Sequence, residues 1–330
     1  PYAVAAFLVV AFITVLNLRG IKTSARANKI LLVFMCTVIA VFLFLAVRYL
    51  FYGGGWGSLF STKPFYDPQT FNGHRIWMAT SFAALTYIGF DGITTLSEEV
   101  KNPKRNVLLA TVLVCLFTGI FAGIEVYLGQ RIWPDWHTFP NLETAFMDVC
   151  QRVGGMPLFQ AMGAILVLAA LGSGLTGGLG AARLLFGMGR DGVLPRKFFG
   201  HLHPNSNTPT YNILLIGLVA FVGAVSLNYI GNAYEHAAEL LNFGAFLAFM
   251  GVNLSTFWHF SIVLRSGRKR ILGDAILPLA GFVFCALIWW NLNIIAKTVG
   301  GIWFAIGITY IAVSTKGFRL KPKMIDFTDS

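Results

Sequence analysis

Nine stretches of this chain are apolar for long enough to cross a hydrocarbon layer about 30 Å thick. They cover residues 2–17, 30–51, 76–97, 107–130, 158–188, 211–229, 237–263, 275–295 and 300–313. Backbone in hydrocarbon has no water to bond to, so each such segment closes its own hydrogen bonds as a helix. The expectation is an all-α integral membrane protein with about nine transmembrane helices. Composition agrees. Of the 330 residues, 56% are hydrophobic and 12% charged, and that charged share is about half the value for a soluble domain. A net charge of +11 would suggest nucleic acid in a soluble protein. Here the basic residues sit in particular loops, so the expected partner is the lipid bilayer and not nucleic acid.

Loop charges assign the two sides. One alternate set of connections holds Arg19, Lys22, Arg26 and Lys29, then Lys101, Lys104 and Arg105, then Arg190, Arg196 and Lys197. It continues with Arg265, Arg268, Lys269 and Arg270, and with Lys316, Arg319, Lys321 and Lys323. The opposite side has only Arg48, Lys63, Arg75, Arg131, Arg152 and Lys297. This three-to-one bias follows the positive-inside rule. It places the C-terminus in the cytoplasm and the first residue outside. An odd number of spans, a start inside an apolar run and no initiating Met read as a chain incomplete at its N-terminus. In the outer connection at 140–155, Leu142, Phe146 and Val149 share one face of a short amphipathic helix, expected to lie on the surface.

The third window departs from a plain span. Residues 81–105 read SFAALTYIGFDGITTLSEEVKNPKR, with Gly89 and Gly92 on either side of Phe90 and Asp91. Glycine disfavours helix by ~1 kcal/mol relative to alanine. A carboxylate deep in a bilayer costs ~2.5–3.5 kcal/mol on insertion scales. Such a segment is either a broken helix lining a binding site or a kinked packing helix with a satisfied Asp. If it unwinds around residues 88–92, the carbonyls of Leu85 to Ile88 lose their partners four residues ahead. They would face a cavity beside the negative end of a half-helix dipole, where an ammonium group is the natural guest. Asp91 then reads as a proton carrier, as the partner of a cationic substrate, or as an N-cap of the second half-helix.

Other polar groups carry less. Glu98 and Glu99 could pair with Lys101, Arg105 or Arg183 to latch an inner gate, or be solvated helix-end charges. Glu125, near the outer end of its span, reads as within reach of interfacial water or Arg131. The cysteines have no metal-ligand spacing, the histidines are scattered, and no nucleophile–base constellation or phosphate loop stands out. No enzyme activity, metal site or resident cofactor is expected.

Four stretches together resemble the amino acid–polyamine–organocation superfamily of permeases. They are NLRGIKTSARANK (17–29), YIGFDG followed by EEVKNPKRN (87–106), AARLLFGMGRDGVLP (181–195) and NTPTYN (207–212). They resemble, in order, the turn before that family's fifth helix, its broken sixth helix and following loop, the cytoplasmic end of its eighth, and the entry to its ninth. The resemblance implies an APC/LeuT-like fold of inverted five-helix repeats, with the first three helices missing from this chain. Residues 1–75 would be the end of the first repeat, 76–263 the second, and 264–330 two further helices and a cytoplasmic tail, all within one transmembrane domain.

By the same resemblance the chain is a plasma-membrane secondary transporter that moves an amino acid or related amine by alternating access. Its substrate contacts would be Leu85, Thr86, Tyr87, Ile88, Gly89, Phe90 and Asp91, with backbone at 85–88 holding the amino group. Leu85 stands where many relatives place an aromatic gate, which leaves that role to Phe82 or Phe90, or leaves occlusion looser. Coupling to Na+ or H+ stays open. Met35 occupies the place of a lysine used by some proton-coupled relatives. Ser173 and Thr176 fall where related folds bind sodium, although the small residues at 172–178 equally suit close helix packing. The alternative is a transport-inactive sensor or assembly partner built on the same scaffold.

Overall fold

The computed structural model describes residues 2–19, 25–96, 100–204, 208–263 and 271–317, and among these there is no β-strand. Its α-helices are α1 (Tyr2–Leu18), α2 (Ala25–Gly54), α3 (Trp56–Leu59), α4 (Gly73–Ala83), α5 (Pro103–Ile132) and α6 (Ala145–Arg190). They continue with α7 (Arg196–Phe199), α8 (Thr210–Ile230), α9 (Ala233–Trp258), α10 (Leu277–Trp290) and α11 (Ile294–Ser314). Seven stretches, built on α2, α5, α6, α8, α9, α10 and α11, are long and apolar enough to cross a membrane, and α1 is a shorter apolar helix. Large apolar side chains such as Phe44, Phe117, Leu184 and Trp303 point outward, as a lipid solvent requires. The chain is an all-α, multi-pass membrane protein. By contacts it divides into two compact units.

The first unit comprises residues 1–67, 124–229 and 315–330. Its core forms where Val38, Phe42, Ala46 and Leu50, four residues apart on α2, meet Val149, Cys150, Leu158, Met162 and Ile165 of α6. The amphipathic segment read at 140–155 is therefore not a surface helix. From Ala145 it is the first arm of α6, with Val149 and Cys150 in the core and the Phe42 and Phe146 rings 5.0 Å apart. Gly155 (φ 68) breaks the arm from the long remainder just before Pro157. On the far side of α6, small residues bring α1 close. A Cβ at Gly174 would sit 2.9 Å from Ile13, and one at Gly217 of α8 would lie 2.5 Å from Thr14. Arg131, assigned from the sequence as a neighbour of Glu125, donates instead to the Ser58 carbonyl, with Nε at 3.0 Å.

The second unit comprises residues 68–123 and 230–314 and contains the interrupted segment. Here α9 packs along α10 and α11, with Phe243 against Trp289 at 5.2 Å. Gly300 lies where a Cβ would collide with the Phe243 ring. The turn between the last two helices falls at Asn291–Asn293, earlier than the windows 275–295 and 300–313 placed it. Lys297, Gly300 and Gly301 are all helical. The cause is local capping. The Asn293 side chain accepts from the Ala296 amide at 2.8 Å, and the buried Glu239 carboxylate of α9 accepts from the Asn293 amide.

Candidate functional site

The site begins with a short helix. Asn72 caps α4 by accepting from the Arg75 amide at 3.1 Å. Eleven residues later, about 16 Å along the axis, the α-helix stops at Ala83. Ala84–Tyr87 is a 3₁₀ turn, Ile88 is extended (φ −63, ψ 129), and Gly89 takes φ 115. The interruption is present, but α-helix ends five residues before the expected 88–92. Residues Phe90–Leu96 continue as 3₁₀ rather than as a second α half-helix. Two features explain this. Gly89 holds a backbone conformation that a side chain would strain, and Ile93, Thr94 and Thr95 form a β-branched run that disfavours α-helix.

The tighter coil changes the carbonyl pattern. Leu85 does not lose its partner, because its carbonyl accepts from the Ile88 amide at 3.1 Å, three residues ahead. Gly89 likewise accepts from the Gly92 amide at 3.0 Å. Asp91 is not the forward-reaching cap considered from the sequence. Its Oδ1 accepts from the Gly89 amide behind it at 3.2 Å, and its backbone carbonyl takes the Thr94 hydroxyl at 2.6 Å. The carboxylate thus fixes the glycine at the interruption, and among the described residues no donor takes its second oxygen.

Beside the interruption lies a cavity of about 780 Å³, within the 300–1,000 Å³ usual for small-ligand sites. Of the seven residues assigned to substrate, Tyr87, Ile88, Phe90 and Asp91 line it, while Leu85, Thr86 and Gly89 do not. The facing walls are Phe246, Phe249 and Asn253 of α9, Cys115 of α5, and Phe284, Cys285 and Ile288 of α10. Asp91 is the one charged group among the described lining residues. The Phe90 and Phe249 rings meet at 5.3 Å. Phe82, the other gate candidate, packs edge-on against Tyr234 at 5.9 Å. Tyr87 is seated by a glycine: a Cβ at Gly119 of α5 would collide with its hydroxyl. A mainly apolar, aromatic chamber with one carboxylate and a few neutral polar groups (Thr80, Thr94, Asn253) matches a small amphipathic cation.

A family model described as amino acid permease matches residues 1–325. The chain belongs to the amino acid permease family. The resemblance carried by the four motifs is thereby confirmed. The low-affinity putrescine importer PlaP of Escherichia coli (strain K12) is 37% identical over 318 residues, 94% of this chain and 68% of the importer. The branched-chain amino acid permease BcaP of Lactococcus lactis subsp. cremoris is 29% identical over 91% of this chain and 63% of its own length. The methylthioribose transporter of Bacillus subtilis is 27% identical over 94% and 64% respectively. The chain spans about two thirds of the length of these permeases.

The remaining assigned residues lie elsewhere in the family member. Ser173 and Thr176 are exposed on α6 of the first unit, and the Thr176 hydroxyl bonds its own helix at the Gly172 carbonyl, 3.0 Å away. Arg183 is exposed on the same helix, and Glu98 and Glu99 fall outside the described residues. Three residues escaped the sequence reading: Glu239, Asn242 and Asn253. With Phe246 and Phe249 they follow a 3–4–3–4 spacing that puts all five on one face of α9. That spacing, polar at three positions of an apolar helix, was the available signal. Asn242 holds the Ser81 carbonyl in the last turn of α4, and Phe246, Phe249 and Asn253 line the cavity.

Proposed function

We propose that this chain forms part of a secondary active transporter that carries an amino acid or a related amine across the plasma membrane by alternating access. The substrate's ammonium group binds at the interruption after α4, against Asp91 and the backbone of Tyr87 and Ile88, with its carbon chain along Phe90 and Phe249. The observation that carries this reading is the single carboxylate, held by the Gly89 amide, in a largely apolar cavity beside a helix interruption. An unpaired cation there would lose hydration without return, so Asp91 and the backbone carbonyls supply what water no longer does. The importer of putrescine among its relatives, itself an amine, agrees with that chemistry. The loop-charge bias supports a cytoplasmic C-terminus. Coupling to Na+ or H+ is part of the same proposal, with Asp91 as the proton-carrying candidate and Ser173 and Thr176 as the sodium candidates.

Uptake of radiolabelled putrescine and an amino acid panel by cells expressing the protein tests the reading. Asp91→Asn should abolish uptake of the carried compound. Gly89→Leu should as well, because it forces a side chain into φ 115 at a cost of about 1–3 kcal/mol. Normal transport by either variant, or no substrate carried by the wild type, would contradict it.

A further inference from the structure

Asn253 is half-buried in the C-terminal part of α9, between Val252 and Leu254, and a buried amide is costly unless it is used. Its Nδ2 donates to the Phe249 carbonyl one turn back at 2.9 Å. Only the NH2 end of an amide can face a carbonyl, so that bond fixes which way the group points. Oδ1 is then the outward acceptor, and among the described residues no donor reaches it. It stands over Gly281 of α10, where a Cβ would lie 2.7 Å from Oδ1. Gly281 shares a face with Phe284, Cys285 and Ile288 of the cavity wall. The missing side chain at 281 is what leaves the carbonyl oxygen its place.

We infer that Asn253 determines specificity by accepting a hydrogen bond from the end of the substrate that Asp91 does not hold. Asp91 adjoins Phe90, Asn253 lies one turn from Phe249, and those two rings touch. An aromatic contact therefore joins two acceptors, one charged and one neutral. The ligand class that fits is a short aliphatic chain with an ammonium at one end and an N–H or O–H donor at the other. This deepens the proposed function and rests on it. The rival role for Asn253 is packing of its amide on Gly281 alone.

The test is inhibition of labelled putrescine uptake, in cells expressing the protein, by butylamine and by 1,4-diaminobutane, which share a carbon chain and differ in the second amine. Wild type should favour the diamine. Asn253→Val should weaken the diamine by about tenfold, the size of one hydrogen bond to a charged donor, and leave butylamine unchanged. Gly281→Ala, which keeps the asparagine but crowds its oxygen, should do the same and covers the case in which Asn253→Val does not reach the membrane. Both ligands shifting together, or neither shifting, in the variants would overturn the role of Asn253 while transport stands. Absence of amine uptake or competition in wild type would instead overturn the transport reading itself.

Discussion

Asn242 of α9 donates its side-chain amide to the Ser81 carbonyl of α4 across 2.6 Å, and neither residue is exposed. The last carbonyls of any α-helix lack partners in their own helix. Here Ser81, in the last turn of α4, is fully buried, so a side chain from α9 supplies a partner for its carbonyl. The same face of α9 then continues past Phe246 and Phe249 along the cavity. Support for the interruption and the wall of the site are thus one helix face.

Replacing Asn242 with leucine should leave the Ser81 carbonyl buried and unpaired, at about 2 kcal/mol. Thermal unfolding in detergent should show a lower midpoint for Asn242→Leu than for Leu241→Ala, a control at an exposed neighbouring position. An unchanged midpoint would mean that the bond adds nothing to the end of α4.

Tyr87 and Gly119 should behave as a coupled pair. Gly119→Ala puts a methyl group against the Tyr87 hydroxyl and should reduce uptake by displacing the tyrosine from the cavity. Removing that hydroxyl with Tyr87→Phe in the same chain should restore much of the loss, since the next ring carbon would lie 3.3 Å from the new methyl. Additive effects in the double-mutant cycle would show that the contact is incidental.

Glu239 holds the turn before α11. Glu239→Ala removes the acceptor for the half-buried Asn293 amide and should cost about 1–3 kcal/mol, read as a lower unfolding midpoint. Glu239→Gln keeps an acceptor oxygen and should stay close to wild type. Equal losses in the two variants would show that the charge, not the hydrogen bond, is what the site uses.

The apolar windows were legible because bilayer thickness leaves a long helix as the simplest way to bury so much backbone. The interruption was legible from Gly89, Asp91 and Gly92, whose side-chain chemistry opposes an uninterrupted span. Its start at Ala83 was not, since Ala84 to Tyr87 has no breaker and becomes 3₁₀ only because Gly89 turns the chain beyond it. The turn at Asn291–Asn293 was overrun because Ile294 and Ile295 extend the apolar count, while the cap that ends the helix comes from Asn293 and the distant Glu239. Asn242 and Asn253 were passed over because hydropathy averages hide single polar residues. Only the contacts to Ser81, Phe249 and Gly281 show what they do.

The central claim is that an amine occupies the cavity beside the interruption, and two native thiols, Cys115 and Cys285, line that cavity. In a Cys36→Ser background, which removes the exposed thiol of α2, the rate of Cys285 alkylation by a small maleimide should fall as putrescine is added. Half-protection should come at the concentration that half-saturates uptake. Alkylation of Cys285 at the same rate under saturating putrescine, in protein that takes putrescine up, would contradict the account.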